Sequence, residues 1–517
     1  MKRIAILTLA LLASLATLMP AQDKRPPEEG PASRQRQDRP RRDRPAPMTL
    51  PAEVKSLEAL SIILGRPTGT SIVLSVLCDS DAKAVIAYGT QKADLAARTE
   101  VKSLQKGQPQ EVILEKLKPD TRYYYQLLDA NSDKPLVEGA FHTQRSPGST
   151  FTFEIQGDSH PERPQMFDAS LYAQMLHAAA TDRPDFYMTI GDDFSVDALH
   201  TVNAETVAER YALQRPFLAM VAQSSPLFLV NGNHEQAALC NLDGTANNVA
   251  VWAQTNRNAL FPQPAPDGFY TGDAKPVEHI GLLGDYYAWT WGDALLVVID
   301  PYWHSAKPVD NVLGGGAKSR DMWAITLGDE PYKWLKKTLE SSKAKYKFVF
   351  AHHVLGTGRG GIEEAPLFEW GGKNKKGVSE FAQMRPGWEL PIHQLMAKNG
   401  VTIFFQGHDH IFVRQQLDGV VYQTLPLAAD PYYTFYNKDA YRTGDAFPGS
   451  GRVRVTVSPE KIRVEYVRSY LPKDATTEPP NGEIAFSYDI AASRPTSTSS
   501  PITSNTSTPA VLSPGAK

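Results

Sequence analysis

From about residue 57 to 145 the chain alternates short apolar, β-branched and aromatic runs with turn residues. Ser71–Leu77 (SIVLSVL) and Ala84–Tyr88 (AVIAY) read as strands, as do Glu111–Leu114 and Tyr123–Leu128. Several strands at this spacing predict an all-β sandwich. After Pro147 the period changes: apolar runs alternate with helix-spaced positions such as Phe167, Leu171 and Met175, which predicts an α/β unit. Neither pattern reaches the ends of the chain. Residues 1–22 open with Lys2 and Arg3, continue with an apolar run to Met19 and then offer small-residue cleavage sites at Ala16 and Ala21. That run is short for a bilayer span of about 20 residues, so a cleaved secretory leader is expected rather than an anchor. Nothing later in the chain approaches a spanning stretch.

Residues 23–48 are rich in Pro and Arg and almost free of large apolar side chains. Such a segment cannot bury enough surface to offset its ordering entropy, so it reads as a solvated linker. The end of the chain is Ser/Thr/Pro low complexity, with Asn505 in a formal glycosylation triplet. The expected divisions are a leader at 1–22, the linker at 23–48, a β domain at 49–146, an α/β domain at 147–490 and a tail at 491–517.

Five apolar runs in the α/β region end in polar clusters. Phe151–Ile155 leads into Asp158-Ser159-His160, Phe186–Ile190 into Gly191-Asp192-Asp193, and Leu227–Val230 into Asn231-Gly232-Asn233-His234-Glu235. Phe348–Phe350 leads into His352-His353, and Val401–Phe405 into Gly407-His408-Asp409-His410. Six of the twelve histidines fall in these clusters. Alone, a Gly-Asp or His-His pair is more often a turn or a satisfied core histidine. Five clusters, each just past a strand where α/β sheets build their sites, point to chemistry. Asp, Asn and neutral His supply oxygen and nitrogen without sulfur, which suits Zn, Mn or Fe. Asp158, His160, Asp192, Asn233, His352, His408 and His410 make seven candidate ligands. One metal takes three or four, so seven imply two metals sharing a carboxylate, the arrangement that clamps an in-line phosphoryl displacement.

Composition narrows the partners. The formal net charge is −3, and the two cysteines, Cys78 and Cys240, exclude a disulfide-stapled scaffold and a cysteine-based zinc cluster, though one interdomain disulfide is conceivable. Subtracting the leader's +2 and the linker's +3 leaves −8 for the remainder. A nucleic-acid polymer held by bulk charge is therefore not expected.

The order D-x-H, GD, GNHE, H, GHxH resembles the calcineurin-like metallophosphoesterases, and residues 57–470 are similar to the purple acid phosphatase architecture. The stretches Tyr286–Asp293 and Trp334–Leu339 share the likeness, and Leu117–Tyr125 looks like the tyrosine corner of a fibronectin type III-like domain. The resemblance implies a double β-sandwich flanked by helices behind the N-terminal β domain, with a dinuclear centre at the strand ends. Carried over by motif, Asp192 would bridge two divalent or trivalent ions (Fe, Zn or Mn). Asp158, His160 and His410 would complete one site, and Asn233, His352 and His408 the other. His234 would stand near the substrate as the catalytic histidine, and a metal-bound hydroxide would be the nucleophile. Glu235, Asp193 and Asp409 would orient ligating histidines, or simply cap turns.

Two departures from the family pattern stand out. Purple acid phosphatases place Tyr three residues after the bridging Asp, where this chain has Ser195, so an Fe(III)–phenolate chromophore is not expected and His160 would fill the coordination place. Val354 stands where the family often has Pro; spacing favours His352 as the ligand, with His353 as a substrate-facing alternative. Arg359, in a glycine-rich loop, is a candidate phosphate contact, and Arg257, Tyr302, Trp303 and His304 are candidate pocket residues. The glycine run before Lys318 lacks the strand and spacing of a phosphate loop and reads as an insertion. His142, His177, His200, His279 and His393 read as structural or surface residues. The leading function is a secreted or periplasmic phosphomonoesterase acting on small-molecule phosphoesters. The alternatives are a phosphodiesterase or nucleotide hydrolase on the same site, or a cell-surface binding protein with a vestigial enzyme domain.

Overall fold

The computed structural model describes residues 48–355, 358–475 and 480–492. The leader, all of the linker but Met48, and the tail from 493 with Asn505 lie outside the described residues. A short helix, Ala52–Ala59, opens the described chain ahead of the strands; the strand pattern did not predict it, although AEVKSLEA is made mostly of good helix formers.

The strands that follow form the expected β-sandwich. Leu60–Gly65, Ile72–Cys78 and Gln110–Leu114 make one antiparallel sheet; Ala82–Gly89, Arg122–Asp129 and Pro135–His142, with two short edge strands, make the other. Alternate residues face inward, so Ile62, Leu64, Leu74, Ile86, Tyr125 and Leu127 fill the core between the sheets. The Lys118 N–H donates to the Tyr123 hydroxyl at 2.8 Å, the bond to upstream backbone that the tyrosine-corner likeness implies. Ile63 faces the other way and joins Val54, Phe217 and Leu218 in a shared apolar cluster with the α/β region. Arg215, 1% exposed, fixes that junction by donating to Ser61 Oγ, Ser75 O and Leu260 O. Cys78 and Cys240 are both free thiols, so the conceivable disulfide is not formed.

The α/β region stacks two mixed sheets face to face. In the six-stranded sheet Leu227–Leu229, Phe186–Thr189 and Phe151–Gln156 run parallel; Gly451–Val457, Lys461–Arg468 and Ile484–Ala491 continue it antiparallel. The eight-stranded sheet has a parallel centre of Ala294–Val298, Tyr346–Phe350, Ile403–Gln406 and Val420–Thr424. The pleat sorts the side chains. Phe186, Met188, Leu296, Val298, Phe348 and Phe350 enter the layer between the sheets. Tyr187, Leu227 and Leu229 pack with the helices Ala169–Asp182, Ala204–Ala222 and Val249–Leu260. Leu295, Val297 and Val349 pack with Asp329–Ser341 and Ile392–Lys398. Both faces of the parallel strands are therefore apolar, which is why they read as continuous hydrophobic runs, whereas Gly451–Val457 and Lys461–Arg468 alternate apolar residues with Arg452, Arg454, Arg463 and Glu465. The result is the expected double β-sandwich flanked by helices.

Candidate metal centre

All five polar clusters follow the ends of strands and meet at one place. The turns that bring them together are tight. His160, Asp192, His408 and His410 have φ of 48°, 60°, 66° and 61°. Left-handed backbone is uncommon for non-glycine residues and concentrates where surrounding structure imposes it for function. A Cβ on Gly232 would lie 2.2 Å from Asp192 Oδ1 and 2.4 Å from its backbone nitrogen, so only glycine lets the GNHE turn press against the GD turn.

Asp158, His160 and His410 form one buried group: His410 Nε2 lies 3.0 Å and His160 Nε2 3.6 Å from Asp158 Oδ2, and the two imidazole Nε2 atoms are 3.1 Å apart. Asp192 stands between this group and a second. Its Oδ2 is 3.8 Å from His160 Nε2 and 3.0 Å from His352 Nε2. Asn233 Oδ1 and His408 Nδ1 approach to 2.9 Å on the same side as His352, whose ring is 5.2 Å from that of His408. His234 Nε2 lies 3.7 Å from Asp192 Oδ2.

The arrangement fits metal ions. Asp158 Oδ2 and His352 Nε2 are buried without a hydrogen-bond partner although each has a donor or acceptor 3.0 Å away. Atoms that converge without bonding one another are placed as ligands of a common ion. The outer nitrogens support this: His352 Nδ1 lies 2.9 Å from the Ile190 carbonyl, leaving Nε2 to point inward. Burial would raise the Asp158 and Asp192 carboxyls, but His352 and the other histidines beside them hold both well below the usual range. Burial works against a charged His352, yet Asp192 and Asp158 push it up to about 10. The cage attracts positive charge.

Among the remaining expected residues, His353 is buried, stacks on His408 with ring centroids 4.6 Å apart, and lies 3.2 Å from the Tyr302 hydroxyl. Burial and the neighbouring His352 lower it to about 4, so its ring is neutral. Of the two expectations for Glu235, Asp193 and Asp409, orienting histidines or capping turns, the hydrogen bonds among the described residues do not favour the first, since none goes to an imidazole. Glu235 accepts the Gly232 and Asp193 N–H groups at 2.9 Å each, tying two ligand-bearing turns together. Asp193 accepts from Gln156 and Ser159, and burial pushes it up to about 7. Asp409 accepts from Gly360 N–H and the Tyr441 hydroxyl. Arg359 is turned onto the His408 carbonyl and Asp409. Arg257 is not a pocket residue; it is 1% exposed and donates to the Leu229 and Gly284 carbonyls. Trp303 bonds Gln254 and His304 pairs with Asp285. His142 and His393 are buried and hydrogen-bonded, while His177, His200 and His279 are exposed.

Five residues at the site escaped sequence reasoning, Glu162 beside His160 Nδ1 among them. His234 Nδ1 lies 2.7 Å from Asp197 Oδ1 and 2.6 Å from Asn311 Nδ2, and Arg163 Nη2 is 3.0 Å from His234 Nε2. Asp310 Oδ2 lies 3.7 Å from His408 Nε2 and pairs with Lys318, so the insertion carrying the glycine run reaches the cage. Only Glu162, Arg163 and Asp197 had a signal, their closeness to the D-x-H and GD motifs.

A buried cage of carboxylates and imidazoles at the strand ends of a double β-sandwich defines a metal-dependent phosphoesterase. The model of the calcineurin-like phosphoesterase family matches residues 152–412, just over half of the sequence, and the chain belongs to that family. A search of the curated proteins gave no match. Among solved structures, PhoD is similar with a TM-score of 0.57 and 14% identity, over 79% of this chain and 86% of PhoD. The purple acid phosphatase PPD1 from yellow lupin (Lupinus luteus) seeds is similar with a TM-score of 0.51 and 16% identity, over 83% of this chain and 74% of that one. At these identities the likeness is one of fold. Among the described residues no helix is long and apolar enough to cross a membrane.

Proposed function

We propose that the protein is a phosphomonoesterase with a dinuclear metal centre. The observation that carries this is Asp192, whose Oδ2 stands 3.0 Å from His352 Nε2 and 3.8 Å from His160 Nε2, placing one carboxylate between two ligand groups. Asp158, His160 and His410 hold one ion with Asp192; Asn233, His352 and His408 hold the other. Bound there, two cations supply Lewis acidity to the phosphoryl oxygens and lower the pKa of attacking water.

The chain's own groups do the rest. His234, whose Nδ1 donates to Asp197 while Asn311 donates to the other oxygen of that carboxylate, presents Nε2 to the reacting phosphoryl group and protonates the leaving oxygen. Arg163 stands beside the same nitrogen and neutralises a phosphoryl oxygen, a role the sequence had offered to Arg359. His353 stays neutral under Tyr302 and lines the other side. The leader pattern read in the sequence supports a secreted or periplasmic compartment.

The test is metal analysis with turnover of an aryl phosphate and of its bis-aryl diester after loading with Fe, Zn or Mn. Two ions per chain and faster monoester turnover are expected. Asp192→Ala should lose metal and activity together, whereas His234→Ala should keep both ions and lose about 10²–10⁴ in rate. A chain that binds no metal and cleaves neither ester overturns the reading.

A further inference from the structure

Nine large apolar side chains are exposed among the described residues, and two of them are aromatic: Tyr432, 71% exposed, and Phe435, 37% exposed. They sit three positions apart in one loop, and that loop is built onto the cage. Asn437 Nδ2 donates to the Asp409 carbonyl at 2.9 Å, and the Tyr441 hydroxyl donates to Asp409 Oδ2 at 2.6 Å. The Tyr436 ring meets His410 edge-on, with centroids 5.7 Å apart, and its hydroxyl donates to the Gln165 carbonyl, two residues beyond Arg163.

The exposure is not that of a slack loop. Asp430, fully buried, accepts the Tyr432 and Thr434 N–H groups at 3.0 and 2.5 Å. Tyr433 turns inward, donating to Asp474 and accepting from Leu471 N–H. With Tyr433 and Tyr436 directed into the protein, the fixed backbone leaves Tyr432 and Phe435 on the outside. Lys438 Nζ stands 4.8 Å from the Phe435 ring centroid and holds one side of that ring. Aromatic rings left in water on a loop whose next residue, Tyr436, meets His410 are surfaces for planar ligands, because every arene or nucleobase offers a π-face.

We propose that Tyr432 and Phe435 are a specificity-determining platform on which a planar aromatic leaving group stacks while its phosphoryl group enters the cage. The proposal rests on the phosphoesterase reading above and adds to it the class of alcohol: one bearing a nucleobase or a comparable arene.

The experiment compares matched esters that differ only in the planar group. One pair is adenosine 5′-monophosphate with ribose 5-phosphate, the other benzyl phosphate with ethyl phosphate. The metal-loaded protein is measured by kcat/KM and, independently, by calorimetric binding of the same four compounds. Wild type should favour the planar member by roughly ten-fold, a ratio within the reach of one base–aromatic stack. Tyr432→Leu with Phe435→Leu should reduce that ratio at least five-fold through KM, and Tyr432→Trp with Phe435→Tyr should keep it. Preference in the adenosine pair alone assigns nucleosides; preference in the benzyl pair alone assigns small arenes; both support the platform. Equal treatment within both pairs, or a ratio that the leucine variant leaves unchanged, overturns it. If none of the four esters is cleaved, the monoesterase reading fails, and the binding ratios alone decide the platform by the same criteria.

Discussion

Ser195 Oγ lies 3.2 Å from His160 Nδ1, so the serine at the position where the family resemblance implies a tyrosine contacts the imidazole we propose as a ligand in its stead. Glu162 Oε1 is 3.1 Å from the same nitrogen. Both contacts leave His160 Nε2 facing Asp158 and Asp192, and outer partners of this kind set the tautomer and basicity of a ligating ring. Ser195→Ala should therefore weaken metal affinity about ten-fold, with little loss of fold. A metal titration followed by calorimetry checks this; an unchanged affinity would show that Glu162 suffices.

Asp197 stands in the same relation to His234, the ring we propose as a proton donor rather than a ligand. Asp197→Asn should leave the metal content unchanged and lower kcat by on the order of ten- to a hundredfold. The arm of the pH–rate profile that belongs to the general acid should move as well, which loss of packing alone would not cause. Steady-state kinetics across pH on the loaded enzyme is the measurement.

Asp300 gives a pH dependence of stability. Burial first, then the nearby Asp285, pushes its carboxyl up to about 7 from an ordinary 3.8, although it accepts from Asn231 and from the Tyr302 N–H. Between those values the folded state binds a proton that the unfolded state has released, so this group's contribution declines as pH rises from about 4 to 7. Asp300→Asn removes the charge that burial penalises. Its melting temperature relative to wild type should rise across that interval and level off above it, in melts recorded at matched metal loading.

Arg215 has no carboxylate partner, and burial alone lowers it to about 9. Its value lies in the carbonyls and hydroxyls it satisfies at the junction of the sandwich and the α/β region. Arg215→Ala strands those acceptors and opens a cavity, so a loss of about 3 kcal/mol or more is expected in denaturant unfolding. Activity of the protein that remains folded should be near normal, since Arg215 does not reach the cage.

How much of the site was legible follows from how each residue is specified. Asp158, His160, Asp192, Asn233, His352, His408 and His410 sit in short strings just past apolar strands, and a strand end is a place the sequence itself marks. Asp197 and Asn311 carry no such mark. Both meet His234 only because a loop after one strand and an insertion more than a hundred residues later converge on it. Glu235 and Asp409 were visible in sequence beside the site, yet Glu235 accepts from backbone N–H groups and Asp409 from Gly360 N–H, Tyr441 and Arg359, partners that no local pattern reveals. Arg359 was the phosphate contact expected from sequence and Arg163 was not, yet packing turned the first onto Asp409 and the second toward His234.

The sequence by itself determined the apolar strand residues that pack the two sheets together, the glycine that lets two turns touch, and the carboxylate, amide and imidazole groups at five strand ends. Those are local properties: a period of two, a missing Cβ, a donor atom at a fixed distance from a strand. Tertiary structure alone decided that Asp192 stands between His160 and His352, that Ser195 meets His160, and that Tyr432 and Phe435 are exposed in a loop whose Tyr436 meets His410. Each of these depends on distances between segments far apart in the chain, and such distances exist only once the two sheets have packed together.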